Sequence, residues 1–240
     1  MPLPKIETPY YSLELPSDGT EIEYRPFLVK EEKVLMLAME TDNQKNITSA
    51  IKNVLKNCIR TKGVKVDRLP TFDIEYLFLN IRGKSVGENI EVKLICPDDG
   101  RTTVDVEIFV DDIQVQRDSD HSNEVKLGND LMMKLKYPSL DEFIKSNFSL
   151  SESDIKVDQT FDLIASCIDV VYSEEESWST SDCTKKELTD FLDSMNSKQF
   201  KEIERFFETM PTLKHEVEVT NPNTKVKSTV VLEGLSSFFG

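Results

Sequence analysis

No stretch of the 240-residue sequence approaches the roughly 20 consecutive apolar residues that a membrane-spanning helix requires. The opening residues, MPLPKIETPYY, contain no apolar block of the kind that directs secretion, so the chain is expected to stay where it is synthesised. Cysteine is scarce and dispersed: Cys58, Cys96, Cys167 and Cys183 lack the close pairs of a zinc site or a redox dithiol. Reduced thiols in a cytosolic setting are expected. There are two histidines, His121 in a polar stretch and His215 at the edge of a predicted strand, and no G-x-S-x-G elbow accompanies them. Nucleophilic and acid–base catalysis are thus short of candidates, and 44 acidic residues make pairs of carboxylates uninformative. Neither an enzymatic activity nor a cofactor is expected.

Positive charge is also in deficit. The formal net charge of −15 repels phosphate backbones and anionic lipid, so neither nucleic acid nor a membrane is expected as the main partner. One local exception stands out: Lys52, Lys56 and Arg60 recur at helical spacing, with Lys62, Lys65 and Arg68 directly after them. Such a run is either a solvated helix face or a docking site for an acidic partner.

What is present suits a folded chain. With 38% hydrophobic and 30% charged residues, the sequence is able to bury a real core. YYSLEL and TEIEYRPF alternate on either side of Pro16-Ser17-Asp18-Gly19, which predicts a β-hairpin. LVKEEKVLMLAME after Pro26 has a helical pattern with Glu31 and Glu32 at its positive end. Between Asn46 and Arg60 an apolar stripe runs through Ile47, Ile51, Leu55 and Cys58. A third helix is predicted to follow Pro70, with Thr71 as its N-cap and an apolar run from Phe72 to Ile81 that should lie at the buried centre of this region. The period then changes to that of strands over residues 88–137, with a hairpin at Pro97-Asp98-Asp99-Gly100. Ser139 with Glu142 fits a capping box that opens a second helical section. DQTFDLIASCIDVVYS is expected to continue it, SEEESWSTSD to be a polar loop, and TKKELTDFLDSM and KQFKEIERFFETM to be amphipathic helices. A last hairpin turns at Asn221-Pro222-Asn223-Thr224.

These elements predict an α+β fold of two helical groups and short antiparallel hairpins, divided into residues 1–137 and 138–240 or forming one continuous domain. IEVKLICP and HEVEVTNP align at Glu91 with Glu216, Val92 with Val217 and Pro97 with Pro222. The likeness suggests a degenerate repeat of helices then hairpin, or two hairpins with similar turn chemistry.

Three suggestive motifs fail on inspection. Gly83-Lys84-Ser85 ends like a phosphate-binding loop, but Phe78 occupies the first glycine position and the triplet closes a helix instead of opening one. Its expected role is a cap, with Gly83 or Gly87 in a left-handed conformation and Arg82 and Lys84 at the negative end of the dipole. CPDDG has the outline of a zinc knuckle with Asp99 in place of the second cysteine, and NPNTK lacks both cysteines, so no metal is expected. The alternating acids from Asp118 to Glu124 lack the glycine and glutamate of a calcium loop.

YRPFLVKEEKVLMLAMET (24–41), FDIEYLFLNIRGKSVGE (72–88) and VVLEGLSSFF (230–239), in that order, resemble the T-even phage baseplate hub subunit family, which includes a hub subunit and a factor that promotes hub assembly. The residues that carry the resemblance are Pro26, Phe27, Lys30, Glu31, Asp73, Tyr76, Arg82, Lys84, Ser85 and Gly87. It implies a non-enzymatic structural or assembly role in the contractile tail, with other hub proteins and the tape-measure protein as partners. The implied location is the tail baseplate of the virion, reached from the host cytoplasm during assembly, and the alternative is a transient chaperone absent from the finished particle. In the chaperone reading Met36, Met39, Met132 and Met133 offer adaptable apolar contacts. Candidate contact residues are Pro26, Phe27, Lys30, Glu31, Arg82 and Lys84, together with Phe238 and Phe239, whose rings either tuck against the last hairpin or dock into a partner.

Overall fold

The chain begins with a two-stranded ribbon, because the Gly19 amide donates to the Leu15 carbonyl at 2.9 Å and Gly19 accepts the positive φ of 75° that closes the turn. Strands β1 (Tyr11–Glu14) and β2 (Glu21–Tyr24) pair antiparallel, with Tyr11 opposite Tyr24. The computed structural model describes residues 6–41, 43–128, 130–142, 157–234 and 237. Helices α1 (Val29–Met39) and α2 (Gln44–Cys58) follow. Asn43 caps α2 by accepting from the Lys45 and Asn46 amides, and the expected stripe is buried at Ala50, Ile51, Val54, Leu55 and Cys58. At its end the Arg25 amide donates to the Cys58 carbonyl at 3.0 Å and the Arg60 amide to the Glu23 carbonyl at 2.8 Å, which fastens the helix pair to the ribbon.

Helix α3 (Thr71–Val86) is the apolar centre expected from its composition: Phe72, Ile74, Leu77, Phe78, Leu79 and Ile81 are buried. Its start differs by one residue. Pro70 sits at the cap position, extended and without a side-chain hydrogen bond, and Thr71 is already helical. Proline suits this place because its φ is preset for helix entry and no amide is wasted. Two more strands, β3 (Asn89–Ile95) and β4 (Thr103–Phe109), make a hairpin, and β5 (Gln114–Gln116) leaves this region.

Residues Arg117–Pro211 are a second compact unit. Strands β6 (Glu124–Lys126) and β7 (Met132–Leu135) lead to helix α4 (Val157–Cys167), strands β8 (Ile168–Tyr172) and β9 (Ser177–Ser179), and helices α5 (Lys185–Asp193) and α6 (Ser197–Thr209). The four strands form one antiparallel sheet in the order β6-β7-β8-β9. Two expectations are corrected here. Residues 168–172 are a strand instead of a continued helix, because Val170 and Val171 pair with β7, whose Met133 is fully buried. The stretch expected as a polar loop contains β9, with Trp178 opposite Val171. Ile164, Ile168, Leu192, Ile203 and Phe206 belong to the core of the unit. The Ser139–Glu142 capping box forms as expected, the Ser139 amide donating to Glu142 Oε2 at 2.8 Å.

The chain then returns to the first unit as β10 (Thr212–Thr220) and β11 (Lys227–Glu233), with β10 also pairing β5. The compact units are therefore Met1–Gln116 with Thr212–Gly240, and Arg117–Pro211, a discontinuous division in place of the cut at 137/138. The two similar hairpins do not share a sheet. They share a core instead: Ile90, Val92, Leu94 and Ile108 from one join Leu213, Val217, Val219 and Leu232 from the other.

Candidate functional site

The stretches that carry the family resemblance converge on α3. Asp73, buried in its first turn, accepts from the Ser17 amide at 3.0 Å and from the Ser17 hydroxyl, and so holds the β1–β2 turn. In its last turn, Ser85 accepts the Phe27 amide at 2.9 Å while donating back to the Ile81 carbonyl at 2.5 Å. From the last stretch, Gly234 donates its amide to the Leu213 carbonyl at 3.0 Å, and a Cβ on Gly234 would lie 3.4 Å from Glu75 Oε1.

Between these fixed points the segment after Tyr24 folds around a single buried charge. Glu31, with 3% of its side chain exposed, receives Arg25 Nη2 at 3.0 Å and the Leu28 amide at 2.9 Å. Arg25 also donates from Nη1 to the Pro26 carbonyl at 2.8 Å. Burial alone would raise the Glu31 carboxyl, but the Leu28 amide and the Arg25 guanidinium outweigh it and hold its pKa below the ordinary value. Glu31 therefore serves as both ion-pair partner and N-terminal cap, fixing the angle at which α1 leaves the ribbon.

The candidate contact residues separate accordingly. Pro26 and Glu31 face the interior, Phe27 and Arg82 are half-buried, and Lys30 projects with 70% of its side chain exposed and Nζ 3.4 Å from Glu31. Lys84 pairs with Glu88 and lies 5.5 Å from the centre of the Tyr11 ring. Burial lowers the Arg82 guanidinium below its ordinary pKa. Phe238 and Phe239 lie outside the described residues.

The feature that individual residues did not disclose is the exposed side of α1. Glu31 is the buried residue of this helix, while Val29, Met36 and Leu37 are 80%, 58% and 53% exposed, with Val34 and Met39 also open to solvent. A helix that is apolar nearly all round is ordinarily enclosed. Here one side lies against its own chain and the other is uncovered. Covering a side chain of this size is worth about 1.5 to 3 kcal/mol. The signal was present in LVKEEKVLMLAM, where apolar residues recur on every side and leave no broad polar face. Of the four methionines considered for adaptable contacts, Met36 and Met39 are on this surface, whereas Met133 is core and Met132 half-buried.

The model of the family described as T4 bacteriophage base plate protein matches residues 8–240. The chain belongs to that family. No curated protein and no solved structure matches it. The family is that of a structural protein of the phage base plate.

Other places in the base plate protein are structurally explained. Gly83 is helical and Gly87 is the residue with positive φ, 127°, at the C-terminus of α3. A Cβ on Gly83 would stand 3.2 Å from Val110 Cγ2, so this glycine is there for close packing. The two hairpin tips that resemble metal knuckles meet through hydrogen bonds among Asp98, Asn221 and Thr224. Among the described residues no group of three or more histidines, cysteines and acids is placed to hold a metal. His121 is set into an aromatic cluster, with Nδ1 2.9 Å from the Thr209 hydroxyl and Nε2 2.9 Å from the Tyr137 hydroxyl. Cys58 and Cys167 are pushed up to about 11 and about 12 by burial, the reverse of what a nucleophilic thiol needs. No described helix is long and apolar enough to cross a membrane.

Proposed function

We propose that this base plate protein is a structural component of the hub at the centre of the base plate. It acts by contact, without catalysis, on neighbouring hub proteins and the tape-measure protein, and neither nucleic acid nor membrane enters its role. The observation that carries the reading is α1, a rigidly anchored helix with an uncovered apolar side in a chain whose family is the base plate. Lys30, at the rim of that side, is exposed, and among the described members of the candidate contact set it is the most open to solvent.

The chaperone alternative draws on the same surface, since Met36 and Met39 supply unbranched, adaptable side chains. Quantitative mass spectrometry of purified particles separates the two. Peptides of this protein at the abundance of other base plate components are expected. Their complete absence from particles, with presence in assembly intermediates, transfers the role to a transient chaperone, and an isolated protein that lyses cell wall in a zymogram overturns the non-enzymatic reading.

A further inference from the structure

Strand β3 has one hydrogen-bonded neighbour, β4, so its other side is open. The hairpin register fixes what that side offers. The Val110 amide donates to the Glu88 carbonyl and the Cys96 amide to the Thr102 carbonyl, both at 2.8 Å, so the even-numbered residues between them exchange main-chain hydrogen bonds with β4. Asn89, Glu91, Lys93 and Ile95 therefore turn their amides and carbonyls outward, where no main-chain group of the described residues meets them. Their side chains lie on the exposed face, while Ile90, Val92 and Leu94 point into the core. The same register leaves one charge unanswered. Glu91 stands opposite Glu107, in the kind of pair where side chains come closest and like charges oppose pairing. Glu107 receives the side-chain amide of Asn89, and Lys93 lies 3.8 Å from Asp105, but among the described residues no donor or cation reaches Glu91.

A second β3 laid antiparallel to the first, with the two-fold axis at Val92, supplies that cation. Glu91 falls opposite the partner's Lys93 and Lys93 opposite the partner's Glu91, while Asn89 and Ile95 exchange places in the same way. All four outward residues then sit in hydrogen-bonded pairs, and Val92 meets its own copy on the core side. A lysine in mid-strand ordinarily keeps other strands off an edge. In this register it lands on the carboxylate that lacks a partner. The other edges do not offer this. Strand β4 carries Asp105 and Glu107 at its centre, so any two-fold pairing there sets acid against acid. On β11 the Ser237 hydroxyl accepts the Glu233 amide at 3.3 Å and donates to the Glu233 carbonyl at 2.7 Å, which closes the end of that edge. We infer that β3 is a self-association edge, through which two copies of this chain join their β3–β4 hairpins into one four-stranded antiparallel sheet closed by a two-fold axis. The contact adds main-chain hydrogen bonds and ion pairs but little apolar area, since Ile90, Val92 and Leu94 are already buried, so a weak dimer with Kd on the order of 10 μM is expected. Neither the exposed side of α1 nor the protein's place in the finished particle enters into it.

The test uses the purified full chain at about 0.15 M salt, where charges more than about 8 Å apart are screened and the net charge of −15 on each copy opposes contact less. Sedimentation equilibrium should show monomer and dimer in exchange. Glu91→Lys and Lys93→Glu should each weaken the dimer about tenfold, and the two combined should restore it to within about threefold, because the swap keeps both cross-pairs. Glu91→Lys faces Glu107 within its own hairpin, so its melting temperature should not fall. Disulfide formation reads the register, with Cys183→Ser in the background because the other three cysteines are buried. An equal mixture of Glu91→Cys and Lys93→Cys proteins should form an interchain disulfide on mild oxidation, since the paired Cα atoms lie about 5.5 Å apart. Either protein alone should not, because the two copies of its new cysteine stand about 8 Å apart, beyond disulfide reach. A monomer up to about 100 μM, filaments in place of a dimer, a dimer indifferent to both charge reversals, or a disulfide in a single-cysteine protein and none in the mixture overturns the inference.

Discussion

The side-chain amide of Asn221 donates to both carboxylate oxygens of Asp98, at 3.0 and 3.1 Å, across 123 residues of chain. The two residues belong to the tips of hairpins β3–β4 and β10–β11, whose turns close in the same way. Gly100 and Lys225 both have φ of 64°, and their amides donate to the Cys96 and Asn221 carbonyls at 2.9 Å. Thr224 adds a hydroxyl to Asp98, and Asn223 reaches the Thr102 hydroxyl at 3.1 Å. Hydrogen bonds to Thr224 and Asn221 hold the Asp98 carboxyl below its ordinary pKa, as those to Thr102 do more strongly for Asp99. The paired knuckle outlines thus meet as a polar clasp.

Removing the centre of that clasp is expected to cost about 1 to 3 kcal/mol, because Asn221 is fully buried and its loss leaves the Asn223 and Thr224 amides without their acceptor. Thermal melting of Asn221→Ala measures it. A chelator should leave the melting temperature of the unmodified protein unchanged; a drop on chelation would show that a metal, and not the amide, joins the tips.

Gly83 tests whether close packing or helix propensity governs the end of α3. Alanine gains about 1 kcal/mol in a helix interior over glycine. The added methyl would meet Val110, which is buried and held by its amide to the Glu88 carbonyl at 2.8 Å, so it has little room to retreat. Overpacking of this kind costs about 1 to 3 kcal/mol. Gly83→Ala should therefore be net destabilising by about 1 kcal/mol, and the same change made in a Val110→Ala background should be stabilising relative to that background. Urea denaturation of the four proteins gives both signs.

These two sites mark how far residue patterns carry. The apolar run of Phe72 to Ile81 and the stripe on α2 announced their burial, since periodicity reports directly which face leaves water. The turns at Gly19 and Gly100 were legible because the glycines supply the positive φ those turns use. Gly83 and Gly87 could not be told apart, because which of them caps depends on Val110, whose approach is a tertiary fact. The strand at Ile168–Tyr172 was hidden for the same reason: its residues extend a helical pattern, and pairing with β7 decides the outcome. The return of β10 and β11 to the first unit has no local signal at all. At the candidate site, the distinctive Pro26 and Glu31 are buried and build the anchor of α1, whereas the apolar side chains it leaves exposed are the ordinary Val29, Met36 and Leu37, whose exposure is a tertiary fact.

The anchor makes a strongly non-additive pair. Glu31→Ala leaves the Arg25 guanidinium, 12% exposed, without its carboxylate and strips the Leu28 amide of its acceptor. Breaking a buried pair from one side costs about 3 to 5 kcal/mol. Replacing both partners with apolar residues, Arg25→Met and Glu31→Met, should cost well under the sum of the single changes, with a coupling of about 1 to 3 kcal/mol in a double-mutant cycle. Additive single effects would mean that the ion pair does not hold α1 in place.

Acid sensitivity above pH 5 is expected to come from His121. The Thr209 hydroxyl donates its proton to the Arg205 carbonyl at 2.7 Å, so it accepts from Nδ1–H of His121, and Nε2 accepts from the Tyr137 hydroxyl. The cluster thus fits the neutral ring. Burial lowers the folded-state pKa below 6.5, and the charge of Arg117 lowers it further. Because the unfolded chain binds the proton first, stability is complete above about pH 7 and is lost as pH falls through 6.5 toward the folded pKa. Asp98 and Asp99, whose folded pKa values lie below 3.8, act only at lower pH and leave this window to the histidine. Calorimetric melting between pH 7.5 and 5 should show the decline, and His121→Gln should melt lower at pH 7.5 with a flatter profile across the range. An unchanged slope in that variant would assign the acid limb to another group.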